Sequence, residues 1–182
     1  MSVMLVGISG KKKSGKSSIA SLVVQSLNER GLKTGQRAFA GPLKELVIKL
    51  FNAPRECVYG SDEQKSQMSP FGKTWRQILQ DVGEGMRQID PDVWIKAAFN
   101  PTDLYGFDVV IFDDTRHPNE ANRMDETYRL TRWNGVIDNH ISETALDNYA
   151  HTWTVHNDEI GLVASVNYIA ARIEETYNER FV

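Results

Sequence analysis

The chain has 182 residues, of which 41% are hydrophobic and 25% are charged, with a formal net charge of −3. These values predict one folded domain, exclude a disordered or fibrous chain, and argue against a protein that mainly grips a polymeric nucleic acid. A single cysteine excludes an internal disulfide and a thiolate metal site. We find no signal peptide and no apolar stretch of membrane length, so we expect a cytoplasmic protein without a membrane partner.

The first half of the chain predicts alternating strands and helices. Short apolar runs predict strands at 3–8 and 36–40, and helical spacing predicts helices at 16–30, 42–51, 75–89 and 92–99. The stretch 54–73 is polar and is interrupted by Gly60, Pro70 and Gly72. We interpret it as a mobile surface excursion rather than core, of the kind that forms a lid on the acceptor side of a site.

The second half of the chain predicts three further strands. They lie at 108–112, 126–133 and 153–156, with a polar lid-like loop at 134–149 and a closing helix at 158–177. The strand at 108–112 is apolar throughout its last four residues, as expected of a parallel strand that is buried on both faces. We therefore predict a three-layer α/β/α fold around a parallel five-stranded sheet, within one domain that spans 1–182.

A phosphate-binding loop follows the first predicted strand. Residues 10–17 match the P-loop pattern G-x-x-x-x-G-K-[ST] in full, directly before a predicted helix. Gly10 and Gly15 let the backbone bend so that its N–H groups point at phosphate oxygens. Lys16 is expected to bridge the β- and γ-phosphates of ATP. The predicted ATP-binding residues are Gly10, Lys13, Ser14, Gly15, Lys16, Ser17 and Ser18, although the lysine run at 11–13 could equally be a solvated basic edge.

The P-loop alone does not separate a GTPase, a motor ATPase and a small-molecule kinase. The guanine-reading pattern N-K-x-D is absent, and the D-x-x-G matches at Asp103 and Asp158 do not follow the apolar strand. A kinase that acts on a monophosphate needs converging positive charge rather than a strong base, because its acceptor is already ionised. Arginines placed near the site would therefore favour such a kinase.

The predicted helix 75–89 carries one candidate set. Arg76, Gln80, Gly83 and Arg87 fall on one narrow stripe of this helix, and we expect them to bind the acceptor. A glycine inside a helix costs about 1 kcal/mol relative to alanine and indicates a close neighbour, which a nucleoside could supply. The alternative is an ordinary amphipathic helix with a solvated face, above all for Arg87.

The turn after the strand 108–112 carries a second set, at the sheet edge where ligands bind in such folds. Arg116 can hold a phosphate with a bidentate fork, and one of the two preceding aspartates is expected to serve magnesium. We assign Ser17 and Asp113 to Mg²⁺ and Asp114 to the substrate and to catalysis. A capped turn is the alternative.

The strand 126–133 supplies the last candidates. Arg129 and Arg132 lie on it, and Arg132 is near enough to the following loop to act as a lid arginine over ATP. The predicted catalytic residues are Lys16, Asp114, Arg116 and Arg132.

In sequence order, these residues resemble the deoxynucleoside monophosphate kinases of tailed bacteriophages. The resemblance implies an adenylate-kinase-like fold, ATP with Mg²⁺ as donor, a deoxynucleoside monophosphate as acceptor, and the host cytoplasm as the location. It also implies that Lys44, Arg76, Gln80 and Arg116 line the acceptor site. The segments that carry it are 14–16, 40–44, 76–83, 92–94, 114–116 with 119–120, and 140–143.

Other functions remain open on the sequence. A P-loop ATPase or GTPase switch would turn over nucleotide without an acceptor, and a nucleotide-sensing module would bind ATP without turnover. A kinase for an alcohol would need a general base, a part that Asp113 could play. A homodimer is possible, and neither the base accepted nor the strictness of the deoxyribose preference can be predicted.

Overall fold

The computed structural model describes residues 3–12, 14–132 and 141–182. These residues form two compact units, the first made of Met1–Ala38 with Pro101–Val182 and the second of Phe39–Asn100. In chain order the elements are β1 (Met4–Gly10), α1 (Lys16–Glu29), β2 (Thr34–Arg37), α2 (Ala40–Phe51), α3 (Arg55–Tyr59), α4 (Asp62–Lys65), α5 (Trp75–Ile89), α6 (Val93–Ala98), α7 (Pro101–Leu104), β3 (Val109–Phe112), α8 (Pro118–Ala121), β4 (Glu126–Thr131), α9 (Ile141–Thr144), β5 (Trp153–His156) and α10 (Asn157–Arg180).

The first unit is built on a parallel sheet of five strands in the order β2-β3-β1-β4-β5. The central strand β1 pairs with β3, where Val6 lies opposite Ile111, and with β4, where Ile8 lies opposite Tyr128. Helices lie on both sides of the sheet, which confirms the predicted three-layer α/β/α fold. The carboxyl end of β1 therefore opens into the P-loop between the ends of β3 and β4.

One hydrophobic core of this unit holds α1 and α10 against the sheet. Ile19, Val23 and Leu27 project from α1 at helical spacing, and Ile169 and Ile173 project from α10. All five are fully buried, and burying such a side chain stabilises the fold by about 1.5–3 kcal/mol. The amphipathic spacing read from the sequence thus corresponds to real helix faces.

The second unit has its own hydrophobic core, formed by its helices alone. Val47 of α2 packs with Trp75 and Ile78 of α5, and Cys57 and Val58 of α3 complete the buried set with Ala53. Helix α5 begins with a capping box, in which the Thr74 hydroxyl accepts from the Gln77 backbone N–H. This cap explains why α5 begins at Trp75, as the sequence predicts.

Two predictions for this part of the chain are wrong. The predicted strand 36–40 ends too late, since β2 covers Thr34–Arg37 and α2 already begins at Ala40. Pro42 fits in the first turn of α2 because N–H groups there have no intrahelical partner. The stretch 54–73 is not simply a surface excursion, because Cys57 and Val58 of α3 are buried. Their burial is hard to predict from the sequence, where polar residues surround them.

The late elements also differ from the prediction. Strand β4 ends at Thr131, and both Trp133 and 134–140 of the predicted loop lie outside the described residues. The rest of that loop contains α9 and a buried residue, Leu146. The closing helix α10 is longer than predicted and is interrupted at Gly161, whose φ of 79° is not helical. Among the described residues, no helix is long and apolar enough to cross a bilayer.

Candidate nucleotide-binding site

The P-loop has the backbone geometry that its pattern predicts. Gly15 adopts the left-handed conformation, with φ 90° and ψ 10°, at the N-cap of α1. Gly10 also has positive φ, and a Cβ there would stand 2.6 Å from the carbonyl oxygen of Leu130 in β4. The first glycine is therefore required by the close approach of a neighbouring strand as well as by the turn itself.

A side chain at the start of α10 holds the backbone of Ser14. Its carbonyl oxygen accepts a hydrogen bond of 3.4 Å from Nδ2 of Asn157, at the start of α10, and Ser165 Oγ in turn donates to Asn157 Oδ1 at 3.1 Å. The Ser14 hydroxyl is buried and has no hydrogen-bond partner among the described residues. Because a buried hydroxyl normally has a partner, this group suits contact with a phosphate oxygen.

Lys16 is buried beneath the loop and donates to the carbonyl oxygens of Gly10 at 2.6 Å and Lys11 at 2.8 Å. The pKa of Lys16 is lowered from its ordinary value of 10.5 to about 8, mainly by burial and also by the nearby positive charges of Arg116 and Arg129. Two carboxylates, Glu143 and Asp113, act in the opposite direction. The structure thus gathers the P-loop lysine, two arginines and two carboxylates into one electrostatic cluster.

Asp113 offers a carboxylate that suits Mg²⁺. It is buried at the carboxyl end of β3, and Gln36 Nε2 donates to its Oδ2 at 2.9 Å. Ser17 presents an exposed hydroxyl in the first turn of α1. Within the described ranges, no group of three or more His, Cys, Asp or Glu side chains is arranged to hold a metal. The donor set nevertheless fits, because Mg²⁺ in phosphoryl-transfer sites takes one or two protein oxygens and completes its shell with phosphate and water.

The turn that carries Arg116 is fixed by its own backbone contacts. Glu120 is buried, and its Oε2 accepts from the N–H groups of Arg116 at 2.8 Å and His117 at 3.0 Å. Thr115 is also buried, and its hydroxyl donates to the carbonyl oxygen of Phe112. Asp114 is half-buried between them. This capped turn, the alternative raised for the motif, coexists with an Arg116 that lies in the P-loop cluster.

Two carboxylates that sequence reasoning does not assign to the site lie against the P-loop. Glu143 accepts from the Lys12 backbone N–H at 2.8 Å and pairs with the Arg116 guanidinium. Asp147 pairs with the Lys11 ammonium at 2.6 Å and with the Arg129 guanidinium at 2.8 Å. Glu143 is part of a segment that carries the family resemblance, but its partners are more than 25 residues away in sequence. Only the fold reveals those contacts.

The two arginines predicted on the strand 126–133 have different surroundings. Arg129 is on the strand, has a largely buried side chain, and contributes to the electrostatic environment of Lys16. Arg132 is exposed and lies one residue beyond the end of β4, so its predicted place on the strand is wrong. The two differ because β4 ends at Thr131.

The remaining predicted ATP-binding residues are either exposed at the start of α1 or lie outside the described residues. Ser17 and Ser18 are both exposed on the first turn of α1. Lys13 lies outside the described residues. A histidine that sequence reasoning passes over, His151, contacts the end of β1: its Nε2 lies 3.5 Å from Ser9 Oγ, and burial lowers its pKa.

The predicted acceptor residues of the second unit are brought together only in part. Arg76 pairs with Asp62 at 2.5 Å, and both side chains are about one-third or more exposed to solvent. Lys44 of α2 places its ammonium 4.8 Å from the centre of the Tyr59 ring. Gln80 and Arg87 are half-buried on α5, and Arg87 donates to the Gly83 carbonyl oxygen at 3.5 Å.

Gly83 is packed closely, as its position inside a helix predicts, but side chains of its own unit supply the contact. A Cβ at Gly83 would lie 3.2 Å from Leu43 Cδ2, and Trp94 Nε1 donates to the Gly83 carbonyl oxygen at 3.0 Å. The expectation that this glycine makes room for a nucleoside therefore has no support here. The close packing of α5 against α2 and α6 accounts for it.

Comparison with known proteins gives two similarities. A protein of Acanthamoeba polyphaga mimivirus, named "Putative deoxynucleotide monophosphate kinase", is 37% identical over 83 residues, which are 44% of this chain. The chain spans about 40% of the length of that curated relative. No protein-family model matches the chain.

The second similarity is structural. The crystal structure of TT1252 from Thermus thermophilus superposes with a TM-score of 0.52 at 12% identity, covering 96% of this chain and 98% of that one. At this identity the match shows a shared fold. The sequence similarity covers less than half of either protein, and the structural match concerns the fold alone.

Proposed function

We propose that the protein transfers the γ-phosphoryl group of ATP to the phosphate of a deoxynucleoside monophosphate. The observation that carries the proposal is the cluster around Lys16, in which the buried P-loop lysine, Arg116 and Arg129 lie at the carboxyl edge of a parallel sheet. Such a concentration of positive charge suits a polyphosphate and the charge that develops during its transfer. The mimivirus relative, by its printed name, supports the choice of acceptor.

On the donor side, the P-loop N–H groups, Lys16 and Ser14 would bind the β- and γ-phosphates. Arg116 and Arg129 would neutralise the γ-phosphoryl oxygens, with Arg132 a further candidate. Ser17 and Asp113 would hold Mg²⁺, which when bound shields the phosphate charges from each other.

On the acceptor side, we assign Arg76 as the main contact with the monophosphate and Lys44, Gln80 and Arg87 as supporting contacts. Within the first unit, Asp114 and Arg116 are the proposed substrate residues. The step forms a bond between an acceptor phosphate oxygen and the γ-phosphorus and breaks the bond from that phosphorus to the β–γ bridging oxygen, which releases ADP. No base is required because the acceptor is ionised at neutral pH, its second pKa being about 6.

The test is a coupled assay of ADP release with ATP and magnesium. It is run with each of four deoxynucleoside monophosphates, with the matching ribonucleotides, and without an acceptor. Turnover that requires a deoxynucleotide and disappears in Lys16→Met supports the proposal and names the substrate. Equal turnover without an acceptor would indicate a hydrolytic switch, and ATP binding with no turnover would indicate a sensing module.

A further inference from the structure

Glu143 joins two parts of the phosphate site with one carboxylate. Its Oε2 accepts from the Lys12 backbone N–H at 2.8 Å, and its Oε1 pairs with the Arg116 guanidinium. The Lys11 ammonium also donates to the Glu143 carbonyl oxygen at 2.7 Å. One side chain therefore ties the P-loop backbone to an arginine that the sequence separates from it by about a hundred positions.

The burial of Glu143 makes this tie strong. Its side chain is 6% exposed, so its charge is largely removed from water and depends on these two partners. Charge-assisted hydrogen bonds of this kind are shorter and about twice as strong as neutral ones. A carboxylate held at both oxygens also limits the rotation of the guanidinium that it binds. Arg116, whose own side chain is 36% exposed, is thus restrained by a buried carboxylate.

Asp147, from the same segment, provides an internal comparison. It also links the P-loop to an arginine, through Lys11 and Arg129. However, its side chain and that of Lys11 are each 39% exposed, and solvated ion pairs contribute about 0–1 kcal/mol. Both acids come from the same segment and each links the P-loop to an arginine, but they differ in burial and in their P-loop partner. Asp147 pairs with the Lys11 ammonium, whereas Glu143 accepts from the Lys12 backbone N–H.

We propose that Glu143 is a positioning residue for phosphoryl transfer, which sets the Arg116 guanidinium at a fixed distance from the P-loop backbone. The inference rests on the proposed function, because it assumes that Arg116 contacts the transferring phosphoryl group. The role of Glu143 is geometric: its charge and its reach are both needed, since only a glutamate-length carboxylate spans from the Lys12 N–H to Arg116.

The test compares Glu143→Gln, Glu143→Asp, Arg116→Ala and the double variant Glu143→Gln/Arg116→Ala. We expect Glu143→Gln to lower kcat by about 10- to 100-fold, since a misplaced catalytic group costs up to that much, with the Kd for ATP changed less than about 3-fold. Glu143→Asp keeps the charge but shortens the reach, so it should remain impaired. The double variant should be no slower than Arg116→Ala alone, because the effect of Glu143 passes through Arg116.

Two controls and one readout other than activity accompany these variants. Glu174→Gln removes a glutamate that pairs with Arg30 at 2.8 Å outside the site, and it should leave kcat unchanged. Asp147→Asn should reduce kcat less than Glu143→Gln does. The amide resonance of Lys12 should shift in Glu143→Gln, as measured by NMR, because its acceptor changes from a carboxylate to an amide.

Several results would overturn the inference. Full kcat in Glu143→Gln, wild-type kcat in Glu143→Asp, or losses that multiply in the double variant would each show that the carboxylate does not act by placing Arg116. A loss of ATP affinity that matches the loss of kcat would indicate a purely structural role in the P-loop. If the wild-type protein itself shows no acceptor-dependent turnover, the proposed function fails and the inference falls with it; failure of the variants alone leaves that function intact.

Discussion

Gly10 of β1 and Leu130 of β4 approach so closely that no side chain fits between them, since a Cβ on Gly10 would stand 2.6 Å from the Leu130 carbonyl oxygen. The neighbour is backbone in a central strand pair and cannot rotate away. The P-loop therefore begins where it does because the sheet forces a glycine at that point.

Gly10→Ala should consequently destabilise the protein by about 1–3 kcal/mol, since the clash can be relieved only by straining β1 or the loop. It should also weaken ATP binding, because the N–H groups of the loop would shift. Urea unfolding and calorimetric titration with ATP would measure the two effects. Gly85→Ala is the matched control: a Cβ there meets nothing within 4 Å, so alanine in this exposed helical position should add up to about 1 kcal/mol of stability. Unchanged stability in Gly10→Ala would contradict the packing argument.

The lowered pKa of Lys16 predicts that ATP binding takes up a proton above neutral pH. In the free protein the pKa of Lys16 is about 8, and a bound polyphosphate should raise it. Between the two values, binding requires protonation, so the affinity for ATP should fall as pH rises through about 8. The second phosphate pKa, about 6, is too low to produce this change.

Calorimetry in buffers of different ionisation enthalpy would count the protons taken up at pH 8.5. Lys16→Met should abolish the uptake, and uptake that persists in this variant would assign the proton to another group.

The lowered pKa of Lys16 also affects the stability of the fold. Unlike an ion pair that favours the charged form, the buried site of Lys16 disfavours it and so lowers the free energy of unfolding at neutral pH. Because the unfolded chain binds the proton more tightly, the unfavourable contribution of Lys16 to stability should be relieved as pH rises from about 8 towards 10.5.

Asn157 should support the P-loop through its hydrogen bond to the Ser14 carbonyl oxygen. Asn157→Asp replaces the donor to the Ser14 carbonyl oxygen by an acceptor in a buried position, which should cost about 1–3 kcal/mol of stability and weaken ATP binding. Ser165→Ala removes a hydroxyl that lies 3.1 Å from Asn157 Oδ1 and 2.8 Å from the Gly161 carbonyl oxygen but leaves the amide in place, so a smaller loss is expected. Chemical denaturation and ATP titration of both variants provide the comparison, and an equal effect of the two would argue against a direct role for the Asn157 amide.

Arg76 should determine the affinity for the acceptor and not for ATP. Arg76→Lys keeps the charge but loses the planar fork that grips a phosphate, so the KM for the monophosphate should rise about 10-fold at constant Kd for ATP. Asp62→Asn tests the partner of Arg76; because this pair is partly exposed, its loss should change stability by less than about 1 kcal/mol. Steady-state kinetics with the acceptor varied would decide, and a change in ATP affinity alone would remove Arg76 from the acceptor site.

Glu126 should stabilise the first unit through a buried polar contact. It accepts from the Tyr128 hydroxyl and from Thr176 Oγ1, each at 2.6 Å, and so links β4 to α10. Burial, together with this hydrogen bond, raises the pKa of Tyr128, so the phenol stays protonated. Tyr128→Phe would leave the buried carboxylate with one donor fewer, and unfolding experiments should show a loss of about 1–3 kcal/mol with ATP binding retained.

Much of the architecture could be predicted from the sequence because it depends on local patterns. The apolar run before Asp113 and the helical spacing of α5 are specified by residues within a few positions of one another, and both elements are found as predicted. The prediction from sequence fails where polar residues surround a short buried segment, as at Cys57, or where a strand ends without a turn-forming residue directly after it, as at Thr131.

The content of the candidate site was decided by the tertiary structure. The sequence places one arginine after β3 and two in or next to β4, but only the pairing of the strands shows that Arg129 lies in the cluster around Lys16. Glu143 could not be assigned because its partners Lys12 and Arg116 become neighbours only when β1 and β3 pair and α9 returns to the loop. The sequence by itself determined the glycine-containing turn after β1 and the α/β fold, which arise from short-range periodicity and turn chemistry. The charges that surround the loop depend on long-range contacts, which only the folded chain brings together.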